Sequence, residues 1–106
     1  MLKSALAFLL FFSVSTAFSQ TPSASDRFVL NGYVRDSLSG EAIIGASISV
    51  NGQSKGVASN QYGFYSITLD KGNYIINVSH VSYIGRSYSL ALENNLSLNA
   101  DLVSKS

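Results

Sequence analysis

Cysteine and tryptophan are absent from this 106-residue chain, proline occurs once, and only 12% of the residues are charged. The lack of cysteine excludes a disulfide scaffold, a thiolate zinc site, a cysteine nucleophile and a lipid-modified N-terminal cysteine. Without a Cys, Trp, Cys core an antibody-type immunoglobulin domain is excluded as well. So low a charge fits neither a coiled coil nor a charge-rich disordered segment. What is present is serine, asparagine, eight glycines and six tyrosines among residues that are 46% hydrophobic. Small polar residues mixed with β-formers predict an all-β fold, and the length allows one domain.

The first residues do not belong to that fold. Met1-Leu2-Lys3 gives a cationic start, Ala5 to Phe12 is apolar, and Ala17-Phe18-Ser19 ends on small residues. These are the three regions of a secretory signal peptide, with cleavage expected after Ser19. Serine and threonine interrupt the apolar run after position 12, well short of the ~18 apolar residues a membrane span requires. Residues 1–19 therefore read as leader, 20–26 as a polar lead-in, 27–103 as the folded domain and 104–106 as a tail. Removal of the leader takes Lys3 with it and leaves six basic residues against six acidic ones, scattered singly. A neutral chain without a basic stripe has no electrostatic means of holding nucleic acid, and no transmembrane segment is expected in the mature chain.

Alternation and turn chemistry divide the domain into seven strands. In Phe28 to Arg35, the residues Phe28, Leu30, Gly32 and Val34 share one face. Asp36 to Glu41 is a loop, and Ala46 to Val50 alternates with Ser47 and Ser49 outward. Asn51-Gly52 is a strong turn signal, since both positions tolerate positive φ. A short third strand follows around Lys55 to Ser59, and Asn60 to Gly63 turns the chain into a fourth, Phe64 to Leu69, with Tyr65, Ile67 and Leu69 inward. Asp70 to Asn73 reads as a turn before a fifth strand, Tyr74 to Val81. A sixth carries Tyr88, Leu90 and Leu92, and a seventh carries Leu96, Leu98, Ala100 and Leu102. Seven short strands at this spacing predict a β-sandwich.

Particular residues add to this pattern. Gly32-Tyr33-Val34-Arg35-Asp36, Ser39-Gly40-Glu41, Ile44-Gly45-Ala46, the run Lys55 to Tyr65, and Lys71-Gly72-Asn73-Tyr74 together resemble the carboxypeptidase-regulatory-like domain. The resemblance covers about residues 27 to 103. It implies a seven-stranded prealbumin-like Greek-key β-sandwich, of the kind that follows the signal peptide of many TonB-dependent outer-membrane receptors, including glycan importers of the SusC type. The motif residues are Gly32, Gly40, Gly45, Gly63, Tyr65, Gly72 and Tyr74. Gly40 and Gly72 are expected at turns needing positive φ, and Gly45 at a bulge or close approach. Gly63 is expected to open a strand that must clear its neighbour. Tyr65 and Tyr74 are expected as core aromatics with hydroxyls at the rim. Ser59-Asn60 and Ser82-Tyr83 depart from the residues common in the family, Thr-Asp and Gly-Tyr.

Chemical candidates are few. His80 is the single histidine, and His80-Val81-Ser82-Tyr83 lacks the second ligand and the carboxylate of a metallopeptidase site, so no peptidase activity comes with the resemblance. No Gly-x-Ser-x-Gly elbow and no calcium loop occurs, and Asp36 and Asp70 read as turn formers. No catalytic, cofactor or metal residue is assigned, and the chain is not expected to be an enzyme. Tyr33, Tyr62 and Tyr83 form a candidate sugar-stacking set, and the third and last strands are candidate edges for pairing with a partner chain. The expectation is a non-catalytic periplasmic accessory domain of a TonB-dependent receptor, present as an isolated or truncated unit. Its partners would be the receptor plug and barrel or the TonB system. The alternative is a free-standing exported module that binds glycan or a surface partner.

Overall fold

A computed structural model describes residues 26–53 and 56–105. The leader, most of the lead-in and Lys55 lie outside the described residues. The described chain holds eight strands: β1 (Arg27–Asp36), β2 (Ser47–Val50), β3 (Gly56–Ala58), β4 (Phe64–Asp70), β5 (Gly72–His80), β6 (Tyr83–Leu92), β7 (Leu96–Ser97) and β8 (Ala100–Ser104). Hydrogen bonding runs in the order β3-β2-β5-β6-β8-β1-β4, with β7 also on β1. One layer of the sandwich is β3-β2-β5-β6 and the other is β4-β1 with β7 and β8. A short corner joins them, where Tyr83 pairs Ser104 and Ile84 pairs Val103.

The core lies between the layers and follows the alternation of each strand. Leu30, Val34, Tyr65, Ala100 and Leu102 come from one layer and Ile48, Val50, Ile76, Val78 and Leu92 from the other, all buried in one cluster. Each large aliphatic side chain taken from water contributes about 2 kcal/mol, and this cluster is what opposes chain entropy in a domain without disulfides. At Asn51-Gly52 the Gln53 N–H donates to the Val50 carbonyl (3.0 Å), with φ of 53° and 71° at the two central residues. That is the type I′ geometry for which Asn-Gly is suited.

Three expectations change. The seventh strand is broken into β7 and β8 at Leu98 and Asn99, although the pairing to β1 stays in step on both sides of the break (Leu30 with Leu96, Val34 with Ala100). The last strand is not an edge: β8 sits between β6 and β1, and the order ends at β3 and β4. Gly72 does not occupy a positive-φ turn; it is the first residue of β5, opposite Leu92. The reason is topological. β4 pairs with β1 and β5 with β2 and β6, so Lys71 alone spans from one layer to the other and no hairpin turn forms.

Candidate functional site

The motif residues do not converge on one pocket; they hold the backbone at several places. The tightest is the break in the last strand. Gly32 on β1 faces Tyr65 on β4, and a Cβ at position 32 would run into the Leu98 carbonyl group. Glycine therefore lets that carbonyl turn inward over β1, where the Tyr65 hydroxyl donates to it (2.6 Å). With the Leu98 carbonyl diverted, the side chain of Asn99 takes over the next rung by accepting the Tyr33 N–H (2.9 Å). Asn95 does the same for Val29 (2.9 Å). Burial pushes the Tyr65 hydroxyl up to about 12, so it remains a donor at any physiological pH.

Gly63, Gly40 and Gly45 serve the loops at the end of the sandwich where β1 finishes. Gly63 (φ 78°) closes the turn before β4: Val34 N–H donates to its carbonyl (2.8 Å), and a Cβ there would lie 2.6 Å from the Val34 oxygen. Gly40 (φ 76°) donates to the Asp36 carbonyl (2.9 Å). Gly45 (φ 76°) donates to the Ser59 carbonyl (3.0 Å) and has open space where a Cβ would stand, so it marks a turn and neither a bulge nor a close approach. Tyr74, at the far end, is half-buried and its hydroxyl donates to the Asp70 carbonyl (2.7 Å).

Two polar residues, noted in the sequence only as a turn and a departure from the family pattern, organise the same loop end. Ser59 is 5% exposed. Its hydroxyl donates to the Ile43 carbonyl (2.7 Å) and accepts the Ala46 N–H (2.8 Å), while its own N–H donates to the Ala46 carbonyl (2.9 Å). Asn60 accepts from the N–H groups of Tyr62 (2.8 Å) and Phe64 (3.0 Å) through its side-chain oxygen. An Asn three residues before a glycine that ends a bend carries that second signal in the sequence; a buried serine carries none.

The groups that chemistry would draw on are held in structural contacts. Asp36 accepts the N–H groups of Leu38 (2.8 Å) and Ser39 (3.0 Å) and the Tyr83 hydroxyl (2.8 Å). These donors, Ser39 first, hold its carboxyl below the ordinary value of 3.8, and the same bond raises Tyr83. Because the folded value of Asp36 is the lower one, its stabilisation is present above 3.8 and is lost as pH falls through the folded value. Asp36→Asn is therefore expected to flatten the fall in thermal midpoint between about pH 5 and about pH 2, measured by circular dichroism. An unchanged acid limb would contradict it. His80 accepts the Ser82 N–H through Nδ1 (3.1 Å) and its ring meets Tyr83 edge-on at 5.5 Å. Asp70 pairs with Arg27 at 3.4 Å on the exposed surface.

Two of the three tyrosines of the sugar-stacking idea are engaged by neighbouring side chains. The Arg35 guanidinium lies 4.6 Å over the Tyr33 ring, whose edge contact with Phe64 is at 5.2 Å. Tyr83 is tied to Asp36, and Tyr62 is 65% exposed. Among the described residues no group of three or more His, Asp or Glu side chains gathers as a metal site would require, and no helix is long and apolar enough to cross a membrane.

Comparison with known proteins agrees with this architecture. A family model for the CarboxypepD_reg-like domain matches residues 30–106. No curated protein matches the chain. Among solved structures, one in a type II cohesin-X-dockerin complex from Acetivibrio cellulolyticus is similar at 16% identity and TM-score 0.59, over 72% of this chain and 56% of that one. A DUF3823 family protein from Bacteroides ovatus gives 18% identity and TM-score 0.58, over 74% and 45%. The 5-hydroxyisourate hydrolase of Klebsiella pneumoniae gives 12% and 0.50, over 73% and 87%. This chain thus spans about half the length of the first two, and at such identities the likeness is one of fold: a β-sandwich that occurs in interaction modules and in one hydrolase. The match over residues 30–106 places the chain in the CarboxypepD_reg-like domain family.

Proposed function

We propose that the chain is a non-catalytic protein-interaction domain that works in the periplasm as an accessory part of a TonB-dependent outer-membrane receptor. The observation that carries the reading is the use of its polar groups. Asp36, Ser59, Asn60, Tyr65 and Asn99 spend their hydrogen bonds on the protein's own loops and strands. What the fold offers outward is backbone at a sheet edge and a loop end bearing exposed Leu38, Ile44, Tyr62 and Val81. Such surfaces suit contact with another polypeptide better than turnover of a small molecule. Membership of the CarboxypepD_reg-like family and the leader read at residues 1–19 support the receptor context.

The test is photo-crosslinking in the native host from an unnatural aromatic residue placed at Tyr62 or at Thr68, with fractionation of the envelope. The expected product is a crosslink to an outer-membrane receptor polypeptide in the periplasm-facing fraction. Absence of any protein adduct from both positions would overturn the reading.

A further inference from the structure

The free edge of the β4 layer has both backbone groups open at two described residues, counted group by group. On β1 the odd residues point their backbone toward β7 and β8: Leu98 donates to the Asn31 carbonyl, and the N–H groups of Val29 and Tyr33 bond to Asn95 and Asn99. The even residues therefore point toward β4, as the Val34 bond to Gly63 shows. Phe28, Leu30 and Gly32 face Leu69, Ile67 and Tyr65, so these three turn their backbone inward to β1, and Phe64, Ser66, Thr68 and Asp70 turn theirs out. Asn60 covers both backbone groups of Phe64 (2.9 and 3.0 Å), and Tyr74 covers the Asp70 carbonyl (2.7 Å). Among the described residues, the N–H and C=O of Ser66 and Thr68 and the N–H of Asp70 have no partner. Beside them runs a groove of about 310 Å³ between β4 and the β2–β3 turn, walled by Val50, Asn51, Gln53, Ile67, Leu69 and Tyr74.

We propose that this edge is a docking site for one extended segment of a partner protein, which adds to β4 as a further strand and inserts an uncharged apolar side chain into the groove. The two open residues are spaced two apart, the repeat of a strand backbone. The residue of the incoming strand that lies opposite Ile67 points to the inner face, into the groove, where the apolar side chains of Val50, Ile67 and Leu69 favour an uncharged apolar group. A second copy of the chain is a poorer occupant. Two copies of β4 would set Ser66 and Thr68 side chains and backbone against each other and place no free strand residue over the groove from an unconstrained segment. The inference rests on the reading of the chain as an interaction domain and names the surface that does the work.

The test uses acetylated seven-residue peptides of alternating threonine and serine with a central isoleucine or aspartate, titrated into the 15N-labelled protein. With the isoleucine peptide, the Ser66 and Thr68 amide signals are expected to move downfield and their hydrogen exchange to slow by about tenfold or more. The aspartate peptide should bind about tenfold more weakly. Thr68→Pro removes an outward N–H that the fold does not use and should abolish binding. Should that variant fail to fold, N-methylation of the peptide at the residues facing Ser66 and Thr68 must abolish binding to the unaltered protein. No response at Ser66 and Thr68, or concentration-dependent shifts there without peptide, which would indicate a second copy, overturns the proposal. A crosslink from Tyr62 but none from Thr68 in the host would sink this site while leaving the interaction reading intact.

Discussion

Gly32→Ala is expected to lower stability by about 3 kcal/mol, the upper part of the range for overpacking, which for a domain of this size moves the thermal midpoint by roughly 15 °C. The added methyl has nowhere to go. It meets backbone, the Leu98 carbonyl, and not the end of a flexible side chain, so relief requires the last strand to move away from β1. That movement pulls the carbonyl from the Tyr65 hydroxyl and shifts the Asn99 bond to Tyr33. Tyr65→Phe separates the two contributions: it keeps the close approach and removes only the hydroxyl, leaving the carbonyl without its donor at a cost of about 1–2 kcal/mol. Urea denaturation followed by circular dichroism reads both. Equal midpoints for Gly32→Ala and the unaltered protein would show that the strand break is soft and that glycine is not required there.

Ser59→Ala is expected to cost a similar amount, about 3 kcal/mol, by a different route. The hydroxyl is small, but it holds one buried acceptor at Ile43 and one buried donor at Ala46. Alanine fills nearly the same volume and leaves both without partners in a site too enclosed for water to replace it readily. The two substitutions differ in where the loss appears. Gly32→Ala weakens the pairing of β1 with the last strand, which carries core residues of one whole layer, so amide exchange should accelerate throughout the sandwich. Ser59→Ala should accelerate exchange first at Gly45 and Ala46, whose N–H groups bond to Ser59. Retention of slow exchange at Ala46 in Ser59→Ala would show that a neighbouring group takes over the hydroxyl's role.

Much of the fold was legible because strand alternation and turn chemistry are local. Ile48 and Val50, Ile76 and Val78, and Ala100 and Leu102 announce their inward faces by a period of two, and Asn51-Gly52 announces its turn by residue type. What escaped depends on partners far away in the chain. The break at Leu98 depends on Gly32 and Tyr65 as well as on Asn99, and the alternation of residues 96–102 does not show it. Gly72 looked like a turn glycine because Asp70-Lys71-Gly72-Asn73 has turn composition; whether such a segment makes a hairpin or crosses between layers depends on which strands pair. The edges were misassigned at the last strand for the same reason: strand order decides an edge, and order is not written in periodicity. Ser59 escaped because a serine beside a turn reads as surface, and only the folded position of the Ile43 to Ala46 loop gives its hydroxyl two buried partners.

The pairing of β1 with β7 and β8 has a mechanical consequence. The first and last strands of the domain lie side by side and run in the same direction, so the start of β1 and the end of β8 are at opposite ends of the sandwich. Tension drawn through those two points slides β1 and β8 past each other, and the hydrogen bonds between them, with the Asn95 and Asn99 side-chain bonds, share the load together instead of opening one after another. A domain built this way is a stiff tether along the axis of its own strands, and the rung supplied by Gly32, Tyr65 and Leu98 sits in the middle of the clamp.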